Sequence, residues 1–216
     1  AGLAPGSSAI HRPLTSLDAR STAAAIRALG GSVSPLRPGV ATVSVVGNRL
    51  QASAGIRLDC GNSGTTARLL LGVLAGRPGP VRLTGDQSLR RRPMRRVTAP
   101  LTAMGAVFPG APATLPLSII GGSLRPLEWH SPVASAQIKS AILLAGVTGE
   151  VPVTIVEPFP SRDHTERMLA AAGYRIETAG GAVRFEPTGE LAPFEITIPG
   201  DPSSAAFLVA AALLGR

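Results

Sequence analysis

The chain has 216 residues, of which 44% are hydrophobic and 3% aromatic, and its formal net charge is +8. Its one cysteine excludes an internal disulfide bond and favours a reducing compartment, and no apolar run approaches the roughly 18 residues of a membrane span. The scarcity of aromatic residues disfavours nucleic-acid binding by base stacking, whereas the positive charge indicates an anionic partner, either a polymer or a small phosphorylated molecule.

The first third of the chain predicts an amphipathic helix, a strand and a second helix. In LDARSTAAAIRALGGSV, apolar residues recur at helical spacing until Gly30, and the β-type run ATVSVVG follows. The next segment, LDCGNSGTTARLLLG, places six small or hydroxyl-bearing residues before an apolar run. The helix that begins there is apolar on nearly every side, which predicts that it is buried.

The same elements recur along the rest of the chain. Amphipathic helices are predicted in LRRRPMRRVTAPLTAMGAVF, up to Gly105, and in SRDHTERMLAAAGYRI, up to Gly173. Helices that are apolar all round, and are therefore expected to be buried, are predicted in ASAQIKSAILLAGV and PSSAAFLVAAALLG. The strands between them are predicted in the short runs VRLTGD, LSIIGG, VPVTIVEP, VRFEP and FEITIPGD.

Both series of helices recur with a period of about 70 residues. In the amphipathic series the period separates the glycines at the helix ends. In the apolar series it separates the serines at the helix starts, which are Ser63, Ser135 and Ser203. We therefore predict an α/β domain of three similar helix–strand units around buried helices. The strands are too short and too closely spaced for an all-parallel βαβ sheet. Pseudo-threefold symmetry would bring the polar starts of the buried helices toward one face.

The segment GNSGTT, residues 61–66, is unusual because six such residues precede the first buried helix. A helix start presents unpaired N–H groups and a partial positive charge, and glycine lets an anion approach that backbone closely. Gly64 would leave room for the anion, while Asn62 and Thr65 would offer side-chain hydrogen bonds. An extended N-cap without a ligand explains the segment equally well.

Three further segments place polar groups near helix starts. Ser135 and Gln137 open the second buried helix, unless Gln137 is a core residue that bonds to the backbone. Ser161 and Arg162 open the third amphipathic helix, where Arg162 would either hold two phosphate oxygens or pair with Asp163 or Glu166. Arg92 lies at a strand-to-helix turn, and we expect the other arginines of RRRPMRR to face solvent.

Other chemistries are disfavoured. His11, His130 and His164 have no metal-ligand spacing with one another or with Cys60, so we expect no metal site. The sequence contains neither a G-x-S-x-G segment nor the lysine pattern of a phosphate-binding loop. We expect Cys60 to pack beside the anion-binding segment rather than to act as a nucleophile.

Five segments, in order, resemble the 5-enolpyruvylshikimate-3-phosphate (EPSP) synthases: DCGNSGTTARLLLGVLAG, GDQSLRRRPMRRVTAPLTAMGA, SAQIKSAILLAG, EPFPSRDHTERML and IPGDPSSAAFLVAAALL. The resemblance implies an inverse α/β barrel domain of the enolpyruvyl transferase type, one of two in a parent enzyme. It also implies a cytoplasmic bacterial enzyme of the shikimate pathway, which leads to the aromatic amino acids. Such an enzyme transfers the enolpyruvyl group of phosphoenolpyruvate to the 5-hydroxyl of shikimate 3-phosphate, and it needs no cofactor.

The resemblance also implies which residues bind the substrates. Phosphoenolpyruvate would contact Asn62, Gly64, Thr65, Arg92 and Gln137, and shikimate 3-phosphate would contact Ser135, Ala136, Gln137, Ser161 and Arg162. Asp201 would have a supporting role. The acid–base residues and lysine of the family would lie outside this chain, so the catalytic residues stay unassigned. Because family members with a bulkier residue at the position of Gly64 tend to resist glyphosate, Gly64 predicts a glyphosate-sensitive parent.

The resemblance divides the chain into a first domain, residues 1–196, and the crossover strand and first helix of a truncated second domain, residues 197–216. We therefore expect both ends to be cut, apolar surface to be exposed along residues 203–215, and the missing second domain to be a partner. The isolated chain should be inactive and should bind shikimate 3-phosphate weakly at most, since half a cleft lacks positioning and proton transfer.

Three alternatives remain. The UDP-N-acetylglucosamine enolpyruvyl transferases share the fold but usually carry a reactive cysteine in the loop that matches residues 86–93, and this chain has none there. A non-catalytic basic module that binds RNA would suit the net charge but not the scarcity of aromatic residues. The third alternative is a folding unit without ligand affinity. We expect neither nucleic acid nor a membrane as a partner.

Overall fold

The computed structural model describes residues 1–51 and 55–215, apart from the side chains of residues 202–204. Its strands are β1 (Gly6–His11), β2 (Ser32–Val33), β3 (Thr42–Gly47), β4 (Ile56–Asp59), β5 (Gly79–Thr84), β6 (Leu117–Gly121), β7 (Leu127–His130), β8 (Val153–Val156), β9 (Arg175–Ala179), β10 (Ala182–Glu186) and β11 (Glu195–Thr197). Its helices are α1 (Leu17–Ala28), α2 (Gly64–Ala75), α3 (Gln87–Arg90), α4 (Arg95–Met104), α5 (Ala136–Gly149), α6 (His164–Ala171) and α7 (Pro202–Leu214). The predicted α/β class is confirmed.

The strands form three mixed sheets, with the orders β11-β1-β3-β2, β4-β5-β6 and β7-β8-β10-β9. Each sheet contains one parallel pair, which is β1 with β11, β4 with β5, or β7 with β8, and antiparallel pairs complete it. The expectation that no sheet is all-parallel is confirmed. Across the part of the chain that the structure describes, the three sheets stay separate from one another.

The predicted repeat is visible in the order of the elements. One unit runs β4–α2–β5–α3–α4–β6, and the next runs β7–α5–β8–α6–β9–β10. In both units a buried helix joins the two parallel strands, and an amphipathic helix follows the second strand. The third sheet combines β1, β2 and β3 with β11, so the third unit is assembled from two parts of the chain that are distant in sequence.

The buried helices α2 and α5 pack against each other in the centre of the core. They approach closely at Gly72, where a Cβ atom would collide with the backbone of Ala141. Gly72 is therefore required by helix packing. The largest fully buried side chains around this pair are Leu29, Leu58, Leu71, Leu74, Leu83, Leu89, Met94, Leu101, Met104, Ile119, Ile138 and Phe185.

The amphipathic helices α1, α4 and α6 lie where the sequence predicts them. Ser16 caps α1, because its hydroxyl accepts a hydrogen bond from the Ala19 amide. Helix α4 ends at Gly105 with a φ of 119°, in the left-handed region that glycine tolerates without a steric penalty. Gly30 and Gly173 also have positive φ, which explains the glycine at the end of each predicted amphipathic helix.

Helix α7 departs from the prediction that all three apolar helices are buried. Phe207 is 81% exposed and Leu214 is 84% exposed. The exposed apolar surface expected for this segment is thus present along the described part of the helix, while the side chain of Ser203 lies outside the described residues. Among the helices that the structure describes, none combines the length and the apolar character needed to cross a membrane.

Candidate functional site

The polar starts of α2 and α5 are joined by side-chain hydrogen bonds. Gln137 Nε2 donates to Thr65 Oγ1 at 2.8 Å, and Arg68 Nη1 donates to Gln137 Oε1 at 2.7 Å. Thr65 and Gln137 are 72 residues apart in sequence. Two of the predicted helix starts therefore meet on one face, and Gln137 bonds to side chains of the facing helix.

The six residues of GNSGTT divide between capping and an open face. Ser63 caps α2, because its Oγ accepts from the Thr66 amide at 3.1 Å and from Thr66 Oγ1 at 2.8 Å. Ser63 and Thr66 are buried, whereas Asn62 and Thr65 are exposed. The buried hydroxyls therefore cap the helix, as the capping interpretation predicts. The exposed side chains flank the helix start, and anion binding there stays a prediction.

Two guanidinium groups converge on Gly64, the first residue of α2. A Cβ atom at this position would lie 2.8 Å from Nη1 of Arg68 and 3.1 Å from Nη1 of Arg92. The helix start adds its own partial positive charge at the same point. Because Gly64 has no side chain, the backbone and both guanidinium groups can face one ligand.

Arg96 completes this group, which we call the arginine cluster: Arg68, Arg92 and Arg96. Burial lowers the pKa of Arg68 most, and repulsion from Arg96 and Arg92 lowers it further. Arg68 Nε is buried without a hydrogen-bond partner, and within residues 1–51 and 55–215 none of the three arginines forms an ion pair. A bound anion would offset this repulsion, so the cluster is suited to hold one.

A buried carboxylate connects the predicted residues Ser135 and Ser161. Glu157 accepts hydrogen bonds from the Ser135 amide at 2.8 Å and from Ser161 Oγ at 2.7 Å. Lys139 Nζ lies 2.9 Å from Glu157 Oε2 and 2.7 Å from Glu166 Oε1. Lys139 is only 3% exposed. We call Lys139, Glu157 and Glu166 the lysine network. Its member Glu157 holds both serines through hydrogen bonds.

Lys139 and Glu157 keep their charges despite their burial. Burial on its own would lower the pKa of Lys139, but hydrogen bonds to Glu166 and Glu157 outweigh it, and the pKa is raised. Burial would likewise raise the pKa of Glu157, but hydrogen bonds from Lys139, Ser161 and Ser135 outweigh it, and the pKa is lowered. Lys139 and Glu157 are therefore both ionised at neutral pH.

The other residues predicted around α5 and α6 are more open. Ala136 is the first residue of α5, and the Ser135 hydroxyl before it makes no capping hydrogen bond. Arg162 is exposed and forms no ion pair with any residue that the structure describes. Glu166, one of the partners considered for it, pairs with Lys139 instead. Arg162 is thus free to bind a ligand.

Asp201 and Cys60 each lie close to a helix start. Asp201 directly precedes α7, and its carbonyl oxygen accepts from the Ala205 amide at 3.1 Å. Cys60 is buried next to GNSGTT, and its burial, followed by the charge of Asp59, raises the pKa of Cys60 to about 12. Such a thiol is a poor nucleophile at neutral pH. Among the described residues, no group of three or more His, Cys, Asp or Glu could hold a metal ion.

The sequence model of the family described as EPSP synthase (3-phosphoshikimate 1-carboxyvinyltransferase) matches residues 1–216. The chain belongs to the EPSP synthase family. Curated 3-phosphoshikimate 1-carboxyvinyltransferases from Desulforamulus reducens and a Synechococcus species are 46% and 50% identical to it, each over 98% of this chain and 50% of the relative. This EPSP synthase family member thus spans about half the length of the curated relatives it matches.

Solved structures agree with membership of the EPSP synthase family. EPSP synthase from Acinetobacter baumannii matches with a TM-score of 0.87 and 40% identity, over 98% of this chain and 48% of that one. The enolpyruvyl transferase NikO from Streptomyces tendae matches with a TM-score of 0.74 at 16% identity, over 98% and 50%, which shows the fold alone. Neither the UDP-N-acetylglucosamine alternative nor the RNA-binding alternative is favoured by these matches.

Sequence reasoning missed Arg68, Lys139 and Glu157. Arg68 is the only charged residue of α2, and Lys139 is the only charged residue of α5. A single charged residue in an otherwise apolar, buried helix was the available signal. Because a charge is buried only with polar partners, such a residue indicates a polar contact inside the fold. Glu157 follows β8 in a polar loop, and nothing in its local sequence distinguishes it.

Proposed function

We propose that this chain forms one wall of the substrate cleft in an enzyme that transfers the enolpyruvyl group of phosphoenolpyruvate to the 5-hydroxyl of shikimate 3-phosphate. One observation carries the proposal: the arginine cluster at the start of α2 is linked through Gln137 to the start of α5. Positive charge, hydrogen-bond donors and two helix starts therefore surround one region, as recognition of two neighbouring anions requires. Membership of the EPSP synthase family supports this substrate pair.

Phosphoenolpyruvate binds at the arginine cluster in this proposal. Its phosphate and carboxylate accept hydrogen bonds from Arg92 and from the backbone at Gly64, with Thr65 and Asn62 at the rim. Arg68 adds charge and holds Gln137 through the 2.7 Å hydrogen bond to its Oε1. The absence of a side chain at Gly64 keeps the anion in contact with both guanidinium groups.

Shikimate 3-phosphate binds beside the start of α5. Its phosphate is held by Ser135, Ala136, Ser161 and Arg162, where the planar guanidinium fits two phosphate oxygens. The lysine network fixes Ser135 and Ser161 relative to each other through Glu157. Gln137 lies between the two helix starts and contacts both substrates.

In this proposal, the residues of this chain position the substrates and do not exchange protons with them. The reaction requires a base for the 5-hydroxyl proton and an acid for the methylene carbon of phosphoenolpyruvate. We assign both to the half of the relatives' length that this chain does not span. Residues 1–196 then form one domain and residues 197–216 lead into the second, so the chain alone binds weakly and does not turn over. We place the enzyme in the cytoplasm, with glyphosate competing at Gly64.

Calorimetric titration of the chain with shikimate 3-phosphate tests the binding assignment. The double variant Gln137→Ala/Arg162→Ala should lose at least about tenfold in affinity, since each removed group contributes on the order of 1 kcal/mol. The matched control is Gln51→Ala/Arg37→Ala, which removes the same residue types at exposed positions. Equal affinity of both double variants and the parent would contradict the assignment.

A further inference from the structure

The Ser161 hydroxyl is hydrogen-bonded to a carboxylate of the protein itself. Its Oγ lies 2.9 Å from Oε1 and 2.7 Å from Oε2 of Glu157. Because Glu157 is ionised and only 8% exposed, it has no proton to donate, and Ser161 is the donor. A hydroxyl group carries a single proton. The only hydrogen bond that Ser161 can donate is therefore already made to Glu157.

The substrate phosphate that is proposed to bind here needs the same hydrogen bond. A phosphate monoester is largely a dianion at neutral pH, so its oxygens accept hydrogen bonds. Ser161 is half-buried and a ligand can reach it, whereas Glu157 is buried. While Ser161 donates to Glu157, it offers the phosphate only lone pairs. The substrate phosphate and Glu157 therefore compete for one donor.

Glu157 keeps other partners when Ser161 turns away from it. Its Oε1 also accepts from the Ser135 amide at 2.8 Å, and its Oε2 also lies 2.9 Å from Lys139 Nζ. Each oxygen of the carboxylate thus retains one donor. Because the carboxylate stays hydrogen-bonded and paired with a cation, the loss of Ser161 does not leave a buried charge without a partner.

We propose that Glu157 sets the affinity for the substrate phosphate, because it holds the Ser161 hydroxyl until the phosphate displaces it. This inference rests on the proposed function, in which Ser161 contacts shikimate 3-phosphate. On binding, the Ser161 side chain turns about χ1 to another staggered rotamer. Its hydrogen bond to Glu157 breaks and a hydrogen bond to a phosphate oxygen forms, while no covalent bond changes. Glu157 is thus a positioning residue that competes with the substrate.

The exchange lowers the affinity for two physical reasons. A hydrogen bond to a carboxylate is stronger than one to a neutral acceptor, so breaking it is costly. The carboxylate also repels the phosphate, since two anions on either side of one hydroxyl lie about 4–5 Å apart. Glutamine at position 157 would remove the negative charge and leave an amide oxygen as a weaker acceptor for Ser161. We therefore expect Glu157→Gln to bind the substrate more tightly although its fold is less stable.

Calorimetric titration of the chain with shikimate 3-phosphate at neutral pH tests the exchange. Glu157→Gln should bind about five- to tenfold more tightly than the parent chain. A purely structural role predicts the opposite, because loosening the site would weaken binding. Urea unfolding of the same variant measures its stability separately. Unchanged or weaker binding by Glu157→Gln would overturn the proposal.

Glu166→Gln is the matched control for charge. Glu166 is also a buried carboxylate paired with Lys139, and among the described residues it makes no hydrogen bond with Ser161. This variant removes one negative charge from the same network but leaves Ser161 bound to Glu157. It should tighten binding less than Glu157→Gln does. An equal gain from both variants would assign the effect to charge alone and would rule out the exchange.

The two serines provide a second test that keeps Glu157 intact. The Ser135 hydroxyl makes no capping hydrogen bond, so a phosphate gains its full hydrogen bond, whereas at Ser161 the gain is offset by the bond lost to Glu157. Ser135→Ala should therefore weaken binding about tenfold and Ser161→Ala less than about threefold. A larger loss from Ser161→Ala would contradict the exchange. A parent chain that does not bind shikimate 3-phosphate would contradict the proposed function itself, and the exchange with it.

Discussion

At the scale of single residues, two glycines of α2 serve different purposes: Gly64 leaves room for a ligand, and Gly72 allows close helix packing. Alanine substitutions at the two positions should therefore have different effects. We predict that Gly64→Ala weakens phosphoenolpyruvate binding about tenfold, or ~1.4 kcal/mol, because the new Cβ atom would lie 2.8 Å from Nη1 of Arg68 and displace it. Folding stability should stay equal or rise by up to about 1 kcal/mol, since alanine favours the helix. Calorimetry measures the first effect and urea unfolding the second.

Gly72→Ala is the structural counterpart. Its Cβ atom would collide with the backbone of Ala141, which cannot turn aside as a long side chain can. We predict a loss of at least about 2 kcal/mol in the free energy of unfolding. If Gly72→Ala were as stable as the parent, the close packing of α2 and α5 would be wrong. If Gly64→Ala bound phosphoenolpyruvate unchanged, Gly64 would have no part in the site.

At the scale of elements, the lysine network ties α5 to α6 and to the loop after β8. We predict that Lys139→Met destabilises the fold by about 3–5 kcal/mol, because it leaves the carboxylates of Glu157 and Glu166 buried without a cation. Adding Glu166→Gln removes one of these charges and should recover part of the loss. Urea unfolding of the two variants checks this, and an equally unstable double variant would argue against charge as the cause.

The same network predicts how stability depends on pH. The pKa of Glu157 is lowered on folding, so its contribution is complete above the unfolded value of about 4.3 and is lost as the pH falls through the folded value. The pKa of Lys139 is raised, so its contribution is complete below about 10.4 and is lost as the pH rises through the folded value.

The variant Glu157→Gln isolates the acidic limb of this profile. At neutral pH it should be less stable than the parent. The difference should shrink as the pH falls from the unfolded value of about 4.3 toward the lowered folded pKa of Glu157, because the parent then loses the contribution of this carboxylate. Urea midpoints measured between pH 3 and pH 8 provide the test. A difference that is independent of pH would mean that the carboxylate acts through shape rather than charge.

The sequence predicted local features well and long-range pairing poorly. Helical periodicity located α1, α4 and α6, and a repeat of about 70 residues predicted the three units. The 2.7 Å bond between Arg68 and Gln137 joins residues 69 apart, and no local pattern encodes such a contact. The apolar composition of α7 predicted burial, but burial also requires a neighbour, and composition alone cannot supply one.

At the scale of the whole molecule, the chain spans about half the length of the curated relatives it matches. In the proposed function it forms one wall of a cleft, and the rest of the relatives' length forms the other. The proposed function therefore predicts binding without turnover by this chain alone. It further predicts that the complementary half of a relative, such as the Desulforamulus reducens enzyme, restores activity when the two are refolded together. Enolpyruvyl transfer needs both substrates held together and acid–base groups facing them. Under the proposed function, neither half provides both by itself.

Release of inorganic phosphate from phosphoenolpyruvate, dependent on shikimate 3-phosphate, measures this complementation. The Gln137→Ala/Arg162→Ala chain should restore far less activity than the parent chain, whereas the Gln51→Ala/Arg37→Ala chain should match the parent. Turnover by the parent chain without its complement would place the acid–base groups within residues 1–216. If the Gln137→Ala/Arg162→Ala chain restored as much activity as the parent chain, a cleft with two walls would still be supported. The substrate contacts assigned to Gln137 and Arg162 would then be wrong.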